Sequence, residues 1–133
     1  MNRLYLALTG GLTLLAAACI PSQRIPLVNG QQPHLEYFFS PSCDHCKNGT
    51  KIVDELEARF PGQVNVERLC VVTNPKDYDT CVLTYRQDPL GNTLLLNTRG
   101  VSEVPSFFIN GKLVPRSSAG ICNELGMDTD CLK

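Results

Sequence analysis

The sequence has neither an excess of one charge nor many aromatic side chains. Its 133 residues include 12 basic and 13 acidic residues, giving a formal net charge of −1, and only 7% are aromatic. Proteins that bind nucleic acid usually carry a basic patch, and those that bind single strands add aromatic platforms. Because the aromatic residues here fall mostly within strand patterns, we expect no nucleic-acid partner.

Histidine is scarce, and the chain carries a single Cys-x-x-Cys motif. With only His34 and His45 available, an ordinary zinc site would lack its second pair of ligands. We therefore expect no metal and no cofactor. The length allows one domain and leaves no room for a second catalytic domain.

Residues 1–18 have the layout of a signal peptide. Arg3 precedes an apolar stretch from Leu4 to Ala18, which ends in small residues. A permanent membrane helix is the weaker interpretation, because this stretch is shorter than the roughly 20 residues that span a bilayer. We expect export, with the bacterial periplasm as the destination.

Cys19 follows these small residues in a pattern that resembles a bacterial lipobox, where a signal peptidase cuts before a lipid-modified cysteine. Ordinary cleavage at the same bond is the alternative, since Ala16 stands where leucine is usual. An odd cysteine in an exported protein needs an explanation, and lipid on Cys19 leaves six of the seven cysteines to pair. We favour a lipoprotein anchored through Cys19, with the Pro- and Gly-containing residues 19–33 as a flexible tether.

The motif Cys43-Asp44-His45-Cys46 carries the strongest functional signal. It follows the apolar run 34–39 and precedes a helical pattern over about residues 43–60. Cys43 would then lie at the helix N-terminus, where unpaired backbone N–H groups favour a thiolate, with Cys46 one turn further on. Strand, Cys-x-x-Cys and helix in this order are typical of a thiol–disulfide site.

A second landmark lies further along the chain, at residues 100–112. The sequence GVSEVPSFFINGK predicts that Pro105 enters a strand ending in an Asn-Gly hairpin turn. Proline has no N–H, so the strand edge stays unpaired there.

Taken together, these motifs resemble the thioredoxin-like superfamily, and especially its extracytoplasmic DsbA-like branch. The resemblance rests on Phe-Phe-Ser before the first motif, His45 within it, Val104 before Pro105, and Phe-Phe-Ile-Asn-Gly-Lys after it. It implies an α/β fold over residues 34–133, with a central mixed β-sheet flanked by helices. It also implies that the Cys-x-x-Cys motif begins the first main helix and that a cis-Pro loop, Val104 and Pro105, lies opposite and binds the client chain.

The resemblance makes Cys43 the nucleophile and Cys46 the residue that resolves the mixed disulfide with a client. We expect His45 to favour the Cys43 thiolate, with help from Lys47 and opposition from Asp44. The expected partners are protein clients with cysteines and a separate redox partner.

One position departs from the DsbA-like pattern. Tyr37 stands six positions before Cys43, where that branch has an acidic residue. Strand alternation points the neighbouring Glu36 to the opposite face, so proton transfer from Cys46 would rely on water or on the Tyr37 hydroxyl. The segment 71–100 is also too short for the helical insertion of that branch, which indicates a compact thioredoxin core.

The remaining cysteines, Cys70, Cys81, Cys122 and Cys131, allow three pairings. We favour structural disulfides between neighbours, Cys70–Cys81 and Cys122–Cys131, each stabilising the domain by roughly 2 to 3 kcal/mol. The alternative makes Cys70 and Cys81 a second redox pair that relays electrons to the active-site pair. The helix predicted over about residues 75–87 has an apolar face made of Tyr78, Cys81, Val82 and Tyr85.

Two other functions remain open beside a protein thiol–disulfide oxidoreductase. A binding or assembly lipoprotein would keep the fold and use the Cys43–Cys46 disulfide only as a structural bridge. A metal-handling protein would use both thiolates as soft ligands, for example for copper. The position of the motif between strand and helix favours the oxidoreductase.

Overall fold

The computed structural model describes residues 23–133, which form a mixed β-sheet with four helices packed around it. The strands are β1 (His34–Phe39), β2 (Asn65–Cys70), β3 (Ser106–Ile109) and β4 (Lys112–Val114). The helices are α1 (Cys46–Arg59), α2 (Asp77–Leu83), α3 (Pro89–Thr98) and α4 (Ser118–Glu124). The predicted signal peptide, residues 1–18, and the predicted lipid site, Cys19, lie outside the described residues.

The strand order is β2-β1-β3-β4, so β1 occupies an interior position. It runs parallel to β2 and antiparallel to β3, and β4 pairs antiparallel with β3. Because β1 has a neighbour on each side and helices on both faces, it is buried from Leu35 to Phe39. The predicted central mixed sheet is confirmed.

Side chains of β1 alternate between two cores, as the period of a strand requires. Tyr37 and Phe39 pack with residues of α1 and α4, including Leu56 and Ile121. Phe38 packs on the other face, in a cluster that includes Leu96 of α3. The motif after β1 and the helix α1 therefore share a face of the sheet with Tyr37.

Helix α1 begins at Cys46, three residues later than the pattern predicts. The backbone N–H groups of Cys46 and Lys47 donate to the carbonyls of Cys43 and Asp44, three residues back, so the chain enters the helix through tight turns. Val53 and Leu56 of α1 are fully buried, so they form the side of the helix that packs in the core.

Helix α2 is shorter than predicted, and its apolar face is different. It spans Asp77–Leu83 instead of residues 75–87, and its buried residues are Asp77 and Cys81. Tyr78 and Tyr85 are 43% and 44% exposed, so the predicted face was wrong at both positions. A disulfide joins Cys81 to Cys70 and fixes which side of the short helix faces inward.

Part of the predicted tether is packed against the domain. Ile25 is buried, and its N–H donates to the Gln63 side chain at 2.8 Å. Gln32 donates to the Gly62 carbonyl, and Pro33 is fully buried. The folded unit therefore begins by Ile25 and not at His34, because core contacts and hydrogen bonds hold this segment.

The structure contains disulfides between neighbouring cysteines, Cys70–Cys81 and Cys122–Cys131, the pairings that the sequence favours. All four residues are buried. Within residues 23–133, no helix combines the length and the apolar character needed to cross a bilayer.

Candidate active site

A third disulfide, Cys43–Cys46, lies where β1 gives way to α1. Cys43 is partly exposed, whereas Cys46 is only 4% exposed. An incoming thiolate can therefore reach the Cys43 sulfur more readily than the Cys46 sulfur. This asymmetry matches the roles of nucleophile and resolving residue expected from the sequence.

Two backbone groups approach the Cys43 sulfur. The N–H of Cys46 donates to Cys43 Sγ at 3.1 Å. The carbonyl oxygen of Val104 lies 3.6 Å from the same sulfur. An N–H pointed at sulfur favours a thiolate there, and the carbonyl can accept a hydrogen bond from a thiol.

The loop that holds Val104 is the one predicted opposite the motif. The Val104–Pro105 peptide bond is cis, and Pro105 is buried. Antiparallel pairing of Phe38 with Ser106 sets the start of β3 beside the end of β1. The sheet register therefore brings Val104 and Cys43 together.

Two open cavities lie near the disulfide. One, of about 290 Å³, is lined by His45, Ile52, Pro105 and Arg116, among others. The other, of about 300 Å³, is lined by residues that include both Cys43 and Cys46. The second cavity therefore gives an incoming thiol room beside the sulfur atoms.

His45 is exposed at the N-terminal boundary of α1, and its side chain makes no capping hydrogen bond. Lys47 lies 3.9 Å from Asp44, and both side chains are almost fully exposed. An exposed ion pair of this kind contributes little to stability. The charges in and after the motif thus face solvent and the cavities beside the disulfide.

Tyr37 lies beneath the site and supports the first turn of α1. Its hydroxyl donates to the Cys46 carbonyl at 2.7 Å and lies 3.1 Å from Thr50 Oγ1. Burial raises the pKa of Tyr37 above its ordinary value of 10.0, so the phenol stays neutral. A neutral phenol that already donates to a carbonyl is poorly suited to accept a proton from Cys46.

Glu36 points away from the site, as strand alternation predicts. Its carboxylate accepts hydrogen bonds from Arg99 at 2.6 and 2.9 Å, and the Arg99 guanidinium lies 4.7 Å from the centre of the Phe108 ring. With Tyr37 excluded by its neutral hydroxyl and Glu36 by its position, water remains the expected proton carrier for Cys46.

One group of potential metal ligands lies apart from the motif. Ligand atoms of His34, Glu36 and Glu67 fall within 4.8 Å of one another. Arg99 already binds Glu36 through both carboxylate oxygens, and Glu67 pairs with His34 at 3.0 Å. These interactions account for the cluster without a metal ion.

The sequence analysis missed Asp77, which is only 1% exposed and contacts the residue before Cys43. Its carboxylate accepts hydrogen bonds from Ser42 N–H at 3.0 Å and from the Ser42 hydroxyl at 2.9 Å. Backbone N–H groups of Thr73 and Asn74 donate to it at 3.0 and 2.8 Å. In the sequence, Asp77 looks like an ordinary acidic residue in the first turn of a helix.

The charge state of Asp77 reflects these donors. Burial alone would raise its pKa, but hydrogen bonds from Thr73, Ser42 and Asn74 outweigh burial and hold the pKa below the ordinary value of 3.8. Asp77 is therefore an anion near neutral pH.

A thioredoxin from Methanocaldococcus jannaschii is 30% identical to this chain over 77 residues, which cover 58% of this chain and 69% of that protein. Among solved structures, a thioredoxin-like protein in its oxidised form is 21% identical, with a TM-score of 0.46. That match covers 63% of this chain and 65% of the solved chain. Tryparedoxin II complexed with glutathionylspermidine is 16% identical, with a TM-score of 0.48, and the match covers 70% of this chain and 75% of the other. No known family profile matches the chain.

Proposed function

Since the chain belongs to the thioredoxin-like superfamily, we propose that it is a thiol–disulfide oxidoreductase that exchanges disulfides with protein clients through Cys43 and Cys46. One observation carries the proposal. The Cys43–Cys46 disulfide lies at the entry to α1, with Cys43 accessible and Cys46 buried behind it. A purely structural bridge has no need of an accessible sulfur beside an open cavity.

In the oxidising direction, a client thiolate attacks Cys43 Sγ, and the bond between Cys43 and Cys46 breaks. Cys46 leaves as a thiolate, and water delivers its proton. A second client thiolate then attacks the client sulfur of the mixed disulfide. The client leaves with a new disulfide, and Cys43 and Cys46 are left reduced by two electrons.

In the reducing direction, the same steps run backwards. The Cys43 thiolate attacks a client disulfide, and Cys46 then attacks Cys43 to release the reduced client. In both directions the Cys46 N–H stabilises negative charge on Cys43 Sγ. A separate redox partner returns the Cys43–Cys46 pair to its starting oxidation state after each cycle.

The client chain is proposed to lie along the Val104–Pro105 loop. The Val104 carbonyl lies 3.6 Å from Cys43 Sγ, so backbone groups of a client can pair beside the sulfur that is attacked. Main-chain pairing gives affinity without demanding one client sequence.

We also propose that the protein is exported to the periplasm and anchored by lipid on Cys19. The leader-like residues 1–18 and the lipobox-like pattern before Cys19 support this location. The pairing of all six cysteines in the described part of the chain fits an oxidising compartment. Cys19→Ala should move the protein from the membrane fraction to the soluble fraction; an unchanged distribution would exclude lipid on Cys19 as the anchor.

The activity is tested by trapping clients on single-cysteine variants. Cys46→Ala should accumulate mixed disulfides with clients, because Cys43 still exchanges but no thiol resolves the bond. Non-reducing gels of an oxidised extract, probed for the protein, give the readout. Cys43→Ala is the matched control and should trap none. Equal trapping by both variants, or by neither, would favour the binding or assembly protein with a structural disulfide.

A further inference from the structure

The Asp77 carboxylate connects two loops at the active-site edge of the sheet. Ser42 belongs to the loop after β1, and Thr73 and Asn74 belong to the loop after β2. The carboxylate accepts hydrogen bonds from both loops and is almost completely buried between them. Because β1 and β2 are parallel neighbours, their carboxyl ends meet at this edge.

The part of this connection that lies away from Cys43, at the end of β2 and the start of α2, is firmly held. The disulfide Cys70–Cys81 ties the end of β2 to α2, the helix that begins at Asp77. The Thr73 hydroxyl also lies 2.8 Å from the Ser40 hydroxyl, which adds a second link between the loops. Asp77 thus holds Ser42 against a fixed support.

We propose that Asp77 is a positioning residue for Cys43, whose carboxylate fixes Ser42 and so keeps the Cys43 sulfur beside the Cys46 N–H. This inference rests on the proposed function and adds a residue to the same site. Ser42 is bonded directly to Cys43, so a displacement of Ser42 moves the nucleophile.

The bonds from Ser42 to Asp77 matter most after reduction of the Cys43–Cys46 disulfide. While the disulfide is closed, a covalent bond holds Cys43 Sγ near α1. When that bond opens, the interactions that hold the segment before α1 include the bonds from Ser42 to Asp77, a 3.3 Å contact between the Ser42 and Thr73 hydroxyls, and a backbone bond from Cys43 N–H to the Ser40 carbonyl at 3.2 Å. The Cys46 N–H lowers the pKa of the Cys43 thiol only while the sulfur stays within hydrogen-bond distance.

Positioning and simple charge repulsion predict opposite changes in the pKa of the Cys43 thiol when the Asp77 charge is removed, which makes the proposal testable. If Asp77 acts only as a nearby anion, removing its charge lowers the pKa of the Cys43 thiol. If Asp77 acts by holding Ser42, removing its bond to Ser42 raises that pKa, because the thiolate loses its N–H partner.

Asp77→Asn is the informative substitution. An asparagine can keep its oxygen toward the Thr73 and Asn74 N–H groups, but its amide nitrogen then faces the Ser42 N–H, where a donor cannot bind a donor. The start of α2 retains its acceptor, and so does the Ser42 hydroxyl, which donates to the same oxygen, but the bond from the Ser42 N–H is lost. Glu36→Gln is the matched control, since Glu36 is also a buried carboxylate but points to the other face of the sheet.

The experiment measures the pH dependence of Cys43 alkylation by iodoacetamide in protein whose Cys43–Cys46 pair is reduced while Cys70–Cys81 and Cys122–Cys131 remain intact, with mass mapping of the labelled cysteine. Asp77→Asn should raise the pKa of the Cys43 thiol by about one unit, which slows alkylation about tenfold below that pKa. Glu36→Gln should leave the pKa at its wild-type value. An unchanged or lowered pKa in Asp77→Asn would overturn the proposal, as would an equal rise in Glu36→Gln.

A second variant keeps the proposal testable if Asp77→Asn does not fold. Ser42→Ala removes the hydroxyl donor and leaves Asp77 bound to Thr73 and Asn74, so it should raise the same pKa. A wild-type pKa in Ser42→Ala would overturn the proposal. Alkylation needs no client, so failure of client trapping by Cys46→Ala remains a separate result that bears on the proposed function alone.

Discussion

At the scale of single residues, the site works by giving two identical side chains different surroundings. Cys43 is partly exposed and receives an N–H, whereas Cys46 is buried and its carbonyl accepts the Tyr37 hydroxyl. The sequence predicted the two roles through the resemblance of the motif to thioredoxin-like sites. The sequence did not predict Asp77, since its partner Ser42 lies 35 residues away and local patterns carry no information about such pairs.

His45 provides a test at this scale. Replacing His45 by alanine should lower the reduction potential of the Cys43–Cys46 pair, because the reduced thiolate loses a favourable neighbour. A loss of about 1.4 kcal/mol of thiolate stabilisation corresponds to roughly 30 mV for a two-electron couple. Glutathione titration measures the shift. Asn48→Ala, which alters the same cavity without removing an ionisable group, is the control. An unchanged potential in His45→Ala would make His45 a bystander.

At the scale of elements, the strongly patterned segments were predicted well and the weakly patterned ones were not. Strand β1, helix α1 and the hairpin of β3 and β4 follow from apolar periodicity and the Asn-Gly turn, where Asn110 and Gly111 have φ of 50° and 82°. Helix α3 has no counterpart among the sequence predictions. The start of this helix could nevertheless have been predicted from the sequence, because Asp88 caps the helix through the Gly91 N–H and Pro89 occupies the first turn.

Helix α1 carries a glycine whose purpose is visible only in three dimensions. Gly49 is buried in the helix, where glycine costs about 1 kcal/mol relative to alanine. A Cβ at this position would lie 2.7 Å from the Tyr37 hydroxyl oxygen and 2.9 Å from a carbon of its ring. The glycine therefore makes room for the side chain that supports the first turn.

This contact gives a prediction for α1. Gly49→Ala should destabilise the domain by roughly 1 to 3 kcal/mol despite the better helix propensity of alanine, because Tyr37 must move out of its packed position. Urea unfolding followed by circular dichroism measures the change. The exposed neighbour Asn48→Ala is the matched control and should be neutral or slightly stabilising. Equal stability of Gly49→Ala and wild type would mean that Tyr37 is loosely packed.

At the scale of the whole molecule, the three disulfides within residues 23–133 divide into two kinds. Cys70–Cys81 and Cys122–Cys131 join buried residues and tie α2 and α4 to their neighbouring segments. Cys43–Cys46 alone among the three includes a partly exposed cysteine, and both of its residues line an open cavity. The burial of Cys70 and Cys81 also argues against a relay, because a relay disulfide must be reached by another thiolate.

The sequence predicted the mixed sheet, but it placed the start of the folded unit too late. Residues 25–33 have little periodicity and several turn-forming residues, which is the composition of a linker. Their attachment depends on two buried side chains, Ile25 and Pro33, and on hydrogen bonds to the turn between α1 and β2. Such isolated contacts leave no repeating signal in a sequence.

The central claim is that Cys43–Cys46 is a redox-active disulfide, and its reduction potential tests that claim most directly. The protein is equilibrated in glutathione buffers of graded potential, and the reduced fraction of each cysteine pair is measured by alkylation and mass mapping. The account predicts that Cys43–Cys46 is reduced at a potential above about −300 mV, while Cys70–Cys81 and Cys122–Cys131 stay oxidised in the same buffers. A Cys43–Cys46 potential below about −300 mV, like that of a structural bridge, would contradict it.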